Sequence, residues 1–238
     1  NPYLQKMNYV SIILLFASVI IGAALVEIIK LKKNNKIQLL LTFSGAYLLS
    51  VSVLHLLPVI FTYDSHRYIG IYVLFGFLIQ IILEHFSKGI EHGHGHFRNR
   101  QIIPFSVVIS LCLHAFLEGI PLAGQLHNHA HNALLTGVVL HKLPVAIVLM
   151  TLFVQSNIGK KRSYALLLIF AAMSPLGVLT GELFTTLVNY QNEIMAIVIG
   201  VFLHISTTIL FESSTDHKFS LQKILIIITA ILISIFSV

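Results

Sequence analysis

The stretch from His114 to Ala146 reads His114-Ala-Phe-Leu-Glu118-Gly-Ile-Pro121, then a segment with three histidines, then Leu140-His141-Lys142-Leu-Pro144-Val-Ala146. Both polar motifs lie inside long apolar runs. His114 and Glu118 are four residues apart, so they share one face of a helix. An ionisable side chain at membrane depth is costly, and it usually faces a bundle interior or a water-filled cavity. Four such side chains on two adjacent apolar segments indicate a metal site on an ion path.

The composition is that of an integral membrane protein. Of the 238 residues, 56% are hydrophobic and only 10% are charged, whereas soluble domains have about 25% charged residues. The apolar residues form blocks of helical length rather than short alternating strands, which excludes an outer-membrane barrel. The single cysteine, Cys112, excludes a disulfide within the chain and a cysteine-cluster metal site.

Eight apolar spans predict an all-α integral membrane protein, since each has close to the ~20 residues that a bilayer core requires. They cover about 8–29, 37–61, 69–86, 102–126, 133–155, 164–188, 194–211 and 221–238. We expect a single transmembrane domain over residues 1–238, with a histidine-containing loop at 88–101. The first span is long enough to cross the bilayer, which favours a spanning helix over a cleavable signal peptide.

The distribution of lysine and arginine predicts the orientation. The loops after the first, third, fifth and seventh spans contain twelve of these residues, and the opposite side contains two. Because cytoplasmic loops are enriched in basic residues, we expect those four loops in the cytoplasm and both termini outside, in a bacterial inner membrane. These loops account for the net charge of +6, so no nucleic-acid partner is expected.

His114, Glu118 and His141 are the candidate metal ligands. Histidine and carboxylate suit zinc and other divalent first-row metals, and three protein ligands leave coordination positions for water. The alternative, that each side chain bonds only to a helix carbonyl, requires three coincidences at one depth. Lys142 lies about ten residues, or roughly 15 Å, from the outer end of its predicted span. We therefore expect its ammonium group beside Glu118 rather than in water.

Other polar residues of the spans are candidates for further ligands or for the lining of the ion path: His55, Lys142, Ser174, Glu182, His204 and Glu212. Taken alone, His55 or His204 is explained equally well by a hydrogen bond to a helix carbonyl. Two histidine tracts in the loops are candidates for loose metal capture: His92, His94 and His96 on the cytoplasmic side, and His127, His129 and His131 on the outer side. Either tract could equally be a solvated polar loop.

The sequence resembles the ZIP (Zrt/Irt-like) family of divalent metal transporters. The family motif His-Asn-x-x-Glu-Gly of the fourth span corresponds to His114–Gly119, and His-Leu-Leu-Pro of the second span is found at His55–Pro58. Pro175–Gly177 matches the Pro-Leu-Gly of the sixth span, and Gly200–Leu203 matches the Gly-x-Phe-Leu of the seventh. The eight spans, the outer termini and the histidine-rich loop between the third and fourth spans also agree.

The resemblance implies a bundle of three, two and three helices built from inverted repeats, which moves a divalent metal ion into the cytoplasm. The transported substrate would be Zn²⁺, with Fe²⁺, Mn²⁺ and Cd²⁺ as alternatives. No cofactor and no enzymatic activity are expected. The partners would be the metal ion and the lipid bilayer, and a homodimer is one candidate oligomeric state.

Four departures from the family pattern surround the candidate site. Ala115 replaces the asparagine of the fourth span, and in the fifth span Lys142 replaces an acid and Val145 replaces a ligand. Ser174 stands before Pro175, where some members have glutamate. In family members that bind two adjacent metals, these positions build the second site. The resemblance therefore implies that this chain holds one metal.

Two alternatives to transport stay open at this point. In an intramembrane zinc hydrolase, water bound to the metal would attack a lipid amide or ester, with His114, Glu118 and His141 as ligands and His204 as the base. A family member that has lost a ligand at Val145 could instead bind metal without moving it.

Overall fold

The computed structural model describes residues 9–29, 35–63, 68–87, 105–123, 128–156, 158–212 and 220–236, and these residues are almost entirely helical, with no strand among them. The first four helices are α1 (Tyr9–Ile29), α2 (Asn35–Val51, continued by Ser52–Leu56 and Leu57–Tyr63), α3 (Ile69–Ser87) and α4 (Phe105–Gly119, followed by the 3₁₀ turn Ile120–Ala123). The last four are α5 (Asn128–Gln155), α6 (Lys160–Leu183, followed by the 3₁₀ turn Thr185–Tyr190), α7 (Gln191–Glu212) and α8 (Leu221–Phe236).

These elements confirm the predicted eight-helix membrane protein. Seven of the described helices, α1 to α7, are long and apolar enough to cross a bilayer, and α8 is a shorter apolar helix. The predicted histidine loop at 88–101 lies outside the described residues, as do the other connecting segments between 30–34, 64–67, 124–127 and 213–219.

The burial of the helices separates a central group from a peripheral one. Within the most apolar window of each helix, 72% of residues are buried in α5 but only 17% in α3. The exposed side of α3 is formed by large apolar side chains such as Ile71, Leu74 and Leu78. Because lipid solvates such side chains as well as a protein interior does, α3 belongs at the rim of the bundle and α5 at its centre.

Several of the main helix contacts follow an approximate twofold exchange in which α1, α2, α3 and α4 correspond to α6, α7, α8 and α5. The exchange turns the α1–α5 interface into α6–α4 and the α3–α7 interface into α8–α2, and all four are extensive. The α1–α6 and α2–α7 contacts map onto themselves. Successive spanning helices alternate in direction, so helices five positions apart, such as α1 and α6, run in opposite directions. The arrangement is therefore that of an inverted repeat around the central pair α4 and α5.

Helix α2 contains one turn of π-helix, at Ser52–Leu56, in which the amide of Leu57 donates to the carbonyl oxygen of Ser52. This wide turn ends at Leu56, two residues before Pro58, whose ring nitrogen has no hydrogen to donate to the helix. Pro144 and Pro175 lie inside α5 and α6. Prolines therefore lie within three of the helices around the candidate site, α2, α5 and α6.

The start of α5 differs from the prediction. The fifth span was expected from about 133, with the outer histidine tract in a loop, but α5 begins at Asn128 and includes His129 and His131 in its first turns. The polar first turn of a helix that extends beyond the apolar core has the composition of a loop. Hydropathy therefore located the apolar part of α5 and not its first residue.

Candidate metal centre

His114, Glu118 and His141 lie together between α4 and α5. One ligand atom from each of the three side chains can be chosen so that all three atoms lie within 4.8 Å of one another. His114 is 2% exposed, Glu118 0% and His141 1%. Within the part of the chain that the structure describes, this is the one cluster of three or more metal-binding side chains.

On α4, Nε2 of His114 lies 2.7 Å from Oε1 of Glu118. The two residues are one helical turn apart, as their spacing predicted. The ring of His141 reaches the pair from α5, with its centroid 6.1 Å from that of His114 and the two ring planes nearly perpendicular, at 85°. Two imidazoles and one carboxylate therefore converge from two helices on a small buried volume.

The ring of His141 is oriented by a residue of α2. Its Nδ1 atom forms a hydrogen bond with the hydroxyl group of Ser44 over 3.2 Å, and both residues are buried. With Nδ1 engaged in this way, a metal would bind the ring through Nε2. A hydrogen bond at the distal nitrogen is the usual way in which proteins set the tautomer and the direction of a histidine ligand.

Lys142 lies beside the cluster, as its depth in the sequence predicted. Its Nζ atom is 3.0 Å from Oε2 of Glu118, and it lies 5.1 Å from the centre of the Phe170 ring of α6. The residue is 2% exposed. The positive charge of the ammonium group offsets the negative charge of the carboxylate. Either charge alone would be costly at this depth.

Close backbone packing between α4 and α6 fixes the position of Glu118. A methyl group at Gly119 would overlap the carbonyl oxygen of Ser174, and one at Gly177 would overlap that of Phe116. The hydroxyl of Ser174 donates a hydrogen bond to the carbonyl oxygen of Ala115. The hydroxyl of Ser174, a candidate pathway residue, thus links α6 to the backbone of α4. Small residues at such a contact let helices approach closely.

His204 and His55 lie in other parts of the bundle. Nδ1 of His204 lies 3.2 Å from Oε2 of Glu84 on α3, near the end that leads to the histidine loop. The ring of Phe77 packs against it with a centroid distance of 4.9 Å. Nε2 of His55 is 3.0 Å from the carbonyl oxygen of Ser234 on α8. The bond of His55 agrees with the alternative that it serves a helix carbonyl.

The remaining candidate residues that the structure describes lie near the ends of helices. Glu182 is in the last turn of α6 and is half-buried. Glu212 ends α7, and its side chain lies outside the described part. His129 is exposed, whereas His131 is half-buried and its Nε2 lies 3.3 Å from the hydroxyl of Ser11. His92, His94, His96 and His127 lie outside the described residues. The roles of all these residues stay predictions.

Sequence reasoning missed three partners of the predicted residues: Ser44, Phe170 and Glu84 acting with His204. Serine and phenylalanine are common in membrane helices, so nothing in the sequence singles out Ser44 or Phe170. Glu84 lies near the end of the third apolar span, but its pairing with His204 depends on the register between α3 and α7. The glycine pair Gly76 and Gly200, at which these helices touch backbone to backbone, is a sequence signal that could have suggested the contact.

A family model described as ZIP Zinc transporter matches residues 91–236 of the chain. This segment covers more than half of the sequence and contains all three residues of the buried cluster. The chain belongs to the ZIP family. The resemblance seen in the sequence motifs is therefore confirmed. The comparison with curated proteins found no match.

Membership of the ZIP family establishes the general activity. ZIP proteins are integral membrane transporters of divalent metal ions rather than enzymes, and the apolar helices of this chain agree with that class. The metal ion is thus a transported substrate and not a cofactor. The buried cluster of histidine and glutamate is compatible with a metal site in a ZIP protein.

Proposed function

We propose that this ZIP protein carries Zn²⁺ across the membrane into the cytoplasm through a site formed by His114, Glu118 and His141. The observation that carries the proposal is the convergence of these three buried side chains, from two central helices, within 4.8 Å. Polar side chains at such depth are costly unless they have a function or a partner. A divalent ion would be a partner that all three side chains share.

The ligand chemistry favours zinc. Zinc is bound in proteins by imidazole nitrogen and carboxylate oxygen, usually in a tetrahedron. Three protein ligands leave one position for water, which suits an ion that must be exchanged. Imidazole also binds other first-row metals, whereas carboxylate and water favour Mg²⁺ and Mn²⁺. Fe²⁺ and Cd²⁺ are therefore secondary candidates, and Mn²⁺ is disfavoured by the two imidazoles.

The position of the site between α4 and α5 suits alternating access. These two helices are the central pair of the inverted repeat, and ion sites in such folds lie at the interface of the repeats, near the middle of the membrane. The excess of basic residues in the loops after α1, α3, α5 and α7 supports an orientation with those loops in the cytoplasm. Transport would then run from the side of the α4–α5 connection towards the histidine loop.

The hydrolase alternative receives no support from the positions of its residues. It needs a base beside the water on the metal, and His204 was the candidate. In the described part of the chain, His204 pairs with Glu84 and is not a member of the metal-binding cluster. Lys142 is the charged group that adjoins Glu118 there, and its ammonium form cannot accept a proton.

The test is zinc uptake by purified protein in sealed liposomes that contain an impermeant zinc-sensitive dye. We expect a saturable, protein-dependent rise in internal zinc. The same liposomes, assayed for release of fatty acid or amine from their lipids, should show no increase over empty liposomes. Lipid cleavage without uptake would overturn the proposal in favour of the hydrolase, and zinc binding without uptake would favour a member that does not transport.

A further inference from the structure

The two carboxylate oxygens of Glu118 face different side chains. Oε1 faces Nε2 of His114 at 2.7 Å, whereas Oε2 faces Nζ of Lys142 at 3.0 Å. A carboxylate can bind a metal with one oxygen or with both. In this arrangement one oxygen is directed at the metal-binding group and the other at a lysine.

The lysine is held in this position from two sides. Its ammonium group lies between the carboxylate of α4 and the ring of Phe170 on α6, 5.1 Å from the ring centre. An ammonium group over an aromatic face is attracted by the ring, more strongly where water is absent. Lys142 also lies about 21 Å along α5 from Asn128 at ~1.5 Å per residue, which is farther than its side chain can reach towards water at that end.

We propose that Lys142 is a specificity-determining residue, which keeps Oε2 of Glu118 occupied and a fixed positive charge beside the transported ion. This inference rests on the proposed function of His114, Glu118 and His141 as the metal site. The metal then receives two imidazole nitrogens and a single carboxylate oxygen. The charges of Glu118 and Lys142 cancel, so the site attracts a cation through its ligand bonds and not through excess negative charge.

Two consequences follow for metal choice and release. Metals that depend on carboxylate oxygen, such as Mn²⁺, lose half of the carboxylate, whereas Zn²⁺ keeps the imidazoles that it favours. The ammonium group also repels any divalent ion at short range, since charges a few ångströms apart interact strongly even at an effective dielectric constant of ~20. Lys142 therefore raises the preference for zinc and lowers the affinity for all divalent ions, which favours release.

A purely structural role is the competing explanation, because an ion pair between α4 and α5 also holds two helices together. Removal of a structural pair would lower stability and weaken the binding of all metals alike. Removal of a specificity-determining lysine should strengthen the binding of both metals and reduce the preference for Zn²⁺ over Mn²⁺. The ratio of the dissociation constants for Mn²⁺ and Zn²⁺ separates these roles.

The experiment compares the wild type with Lys142→Met and Lys142→Arg, titrated with Zn²⁺ and Mn²⁺ in detergent at one fixed pH. Lys161→Met is the matched control, because Lys161 is exposed in the first turn of α6. In Lys142→Met we expect the dissociation constant for Zn²⁺ to fall about tenfold and that for Mn²⁺ to fall by a larger factor. Lys142→Arg keeps the charge and should retain the wild-type ratio, as should the control. Unchanged constants in Lys142→Met, or equal weakening of both metals, would overturn the inference.

A measurement on the wild type covers the case in which Lys142→Met does not fold. X-ray absorption spectra of the zinc-loaded protein should show two imidazoles and a carboxylate bound through one oxygen, and a bidentate carboxylate would overturn the inference. The double variant Glu118→Gln/Lys142→Met keeps the net charge and should lose high-affinity zinc binding. If the wild type itself binds no zinc, or the double variant binds it equally well, the proposed metal site fails. If both behave as expected and only the Lys142 result fails, the role of Lys142 alone is wrong.

Discussion

Nε2 of His114 and Oε1 of Glu118 lie 2.7 Å apart on the inner face of α4, where both residues are buried. Two ligand atoms of a tetrahedral zinc ion are separated by roughly 3.3 Å, given metal–ligand distances near 2 Å. Small rotations of the two side chains are therefore enough to admit the ion. The hydrogen-bonded pair and the metal-bound pair are close in geometry, which suits a site that is loaded and emptied repeatedly.

Ser44→Ala should weaken zinc binding without changing any ligand. When Nε2 of His141 binds a metal, Nδ1 carries the hydrogen and can donate it to the hydroxyl of Ser44. Loss of such a partner typically costs 10- to 100-fold in metal affinity, so we expect a loss of about tenfold or more in zinc titrations. Ser50→Ala is the control, because the hydroxyl of Ser50 bonds within its own helix, to the carbonyl oxygen of Ala46. Equal affinities of the two variants would contradict the role of Ser44.

Gly119→Ala should impair zinc uptake, because the substitution displaces the backbone of α4. The added methyl group would overlap the carbonyl oxygen of Ser174, so α4 must move away from α6 and carry Glu118 with it. We expect a loss of stability of about 1–3 kcal/mol, as is usual for overpacking, and a zinc uptake rate that is lower by a large factor. In the control Gly137→Ala, the nearest atoms are side-chain carbons at 3.5 and 3.6 Å, which is ordinary contact. Normal uptake in both variants would show that the α4–α6 contact does not set the site.

Gly76→Ala tests the contact between α3 and α7. A methyl group there would overlap the carbonyl oxygen of Ile197, and Glu84 and His204 contact each other farther along the same two helices. We expect thermal unfolding in detergent to occur at a clearly lower temperature, with a destabilisation of about 1–3 kcal/mol. Gly70→Ala in the same helix meets nothing within 4 Å and should leave the unfolding temperature unchanged or slightly raised. A tolerated Gly76→Ala would mean that the two helices pack differently.

Thiol labelling tests the proposed orientation. In a Cys112→Ala background, Lys33→Cys should be protected from an impermeant maleimide in intact cells, and His129→Cys should react. His129 is exposed at the start of α5, and Lys33 belongs to the first basic loop, which the positive-inside rule assigns to the cytoplasm. Both cysteines should react after the membrane is permeabilised. The reverse pattern in intact cells would overturn the orientation and the direction of uptake with it.

The eight helices could be predicted because bilayer thickness imposes a length on each apolar block. The observed bounds of α2, α3 and α7 lie within three residues of the predicted spans. The exact start of α5 could not be predicted, because the polar turn with His129 and His131 resembles a loop in composition. The π-helical turn at Ser52–Leu56 could not be located from the sequence either.

The candidate site was predictable to the extent that it depends on spacing within one helix. His114 and Glu118 share a face because they are four residues apart, and the depths of His141 and Lys142 brought them towards that face. Contacts that depend on the register between distant helices were not predictable. Ser44 on α2 and Phe170 on α6 reach the site only through the packing of those helices, and the contact of His204 with Glu84 depends on helix packing in the same way.

The most direct test of the account is the initial rate of zinc uptake into liposomes by His114→Ala, Glu118→Ala and His141→Ala, each compared with the wild type at equal incorporation. We predict that each variant loses most or all of the protein-dependent uptake. His85→Ala, which changes an exposed histidine of α3, should transport normally, and deletion of the two histidine tracts should have a milder effect, on apparent affinity. Uptake by Glu118→Ala at the wild-type rate would contradict the proposal that the ion passes through this site.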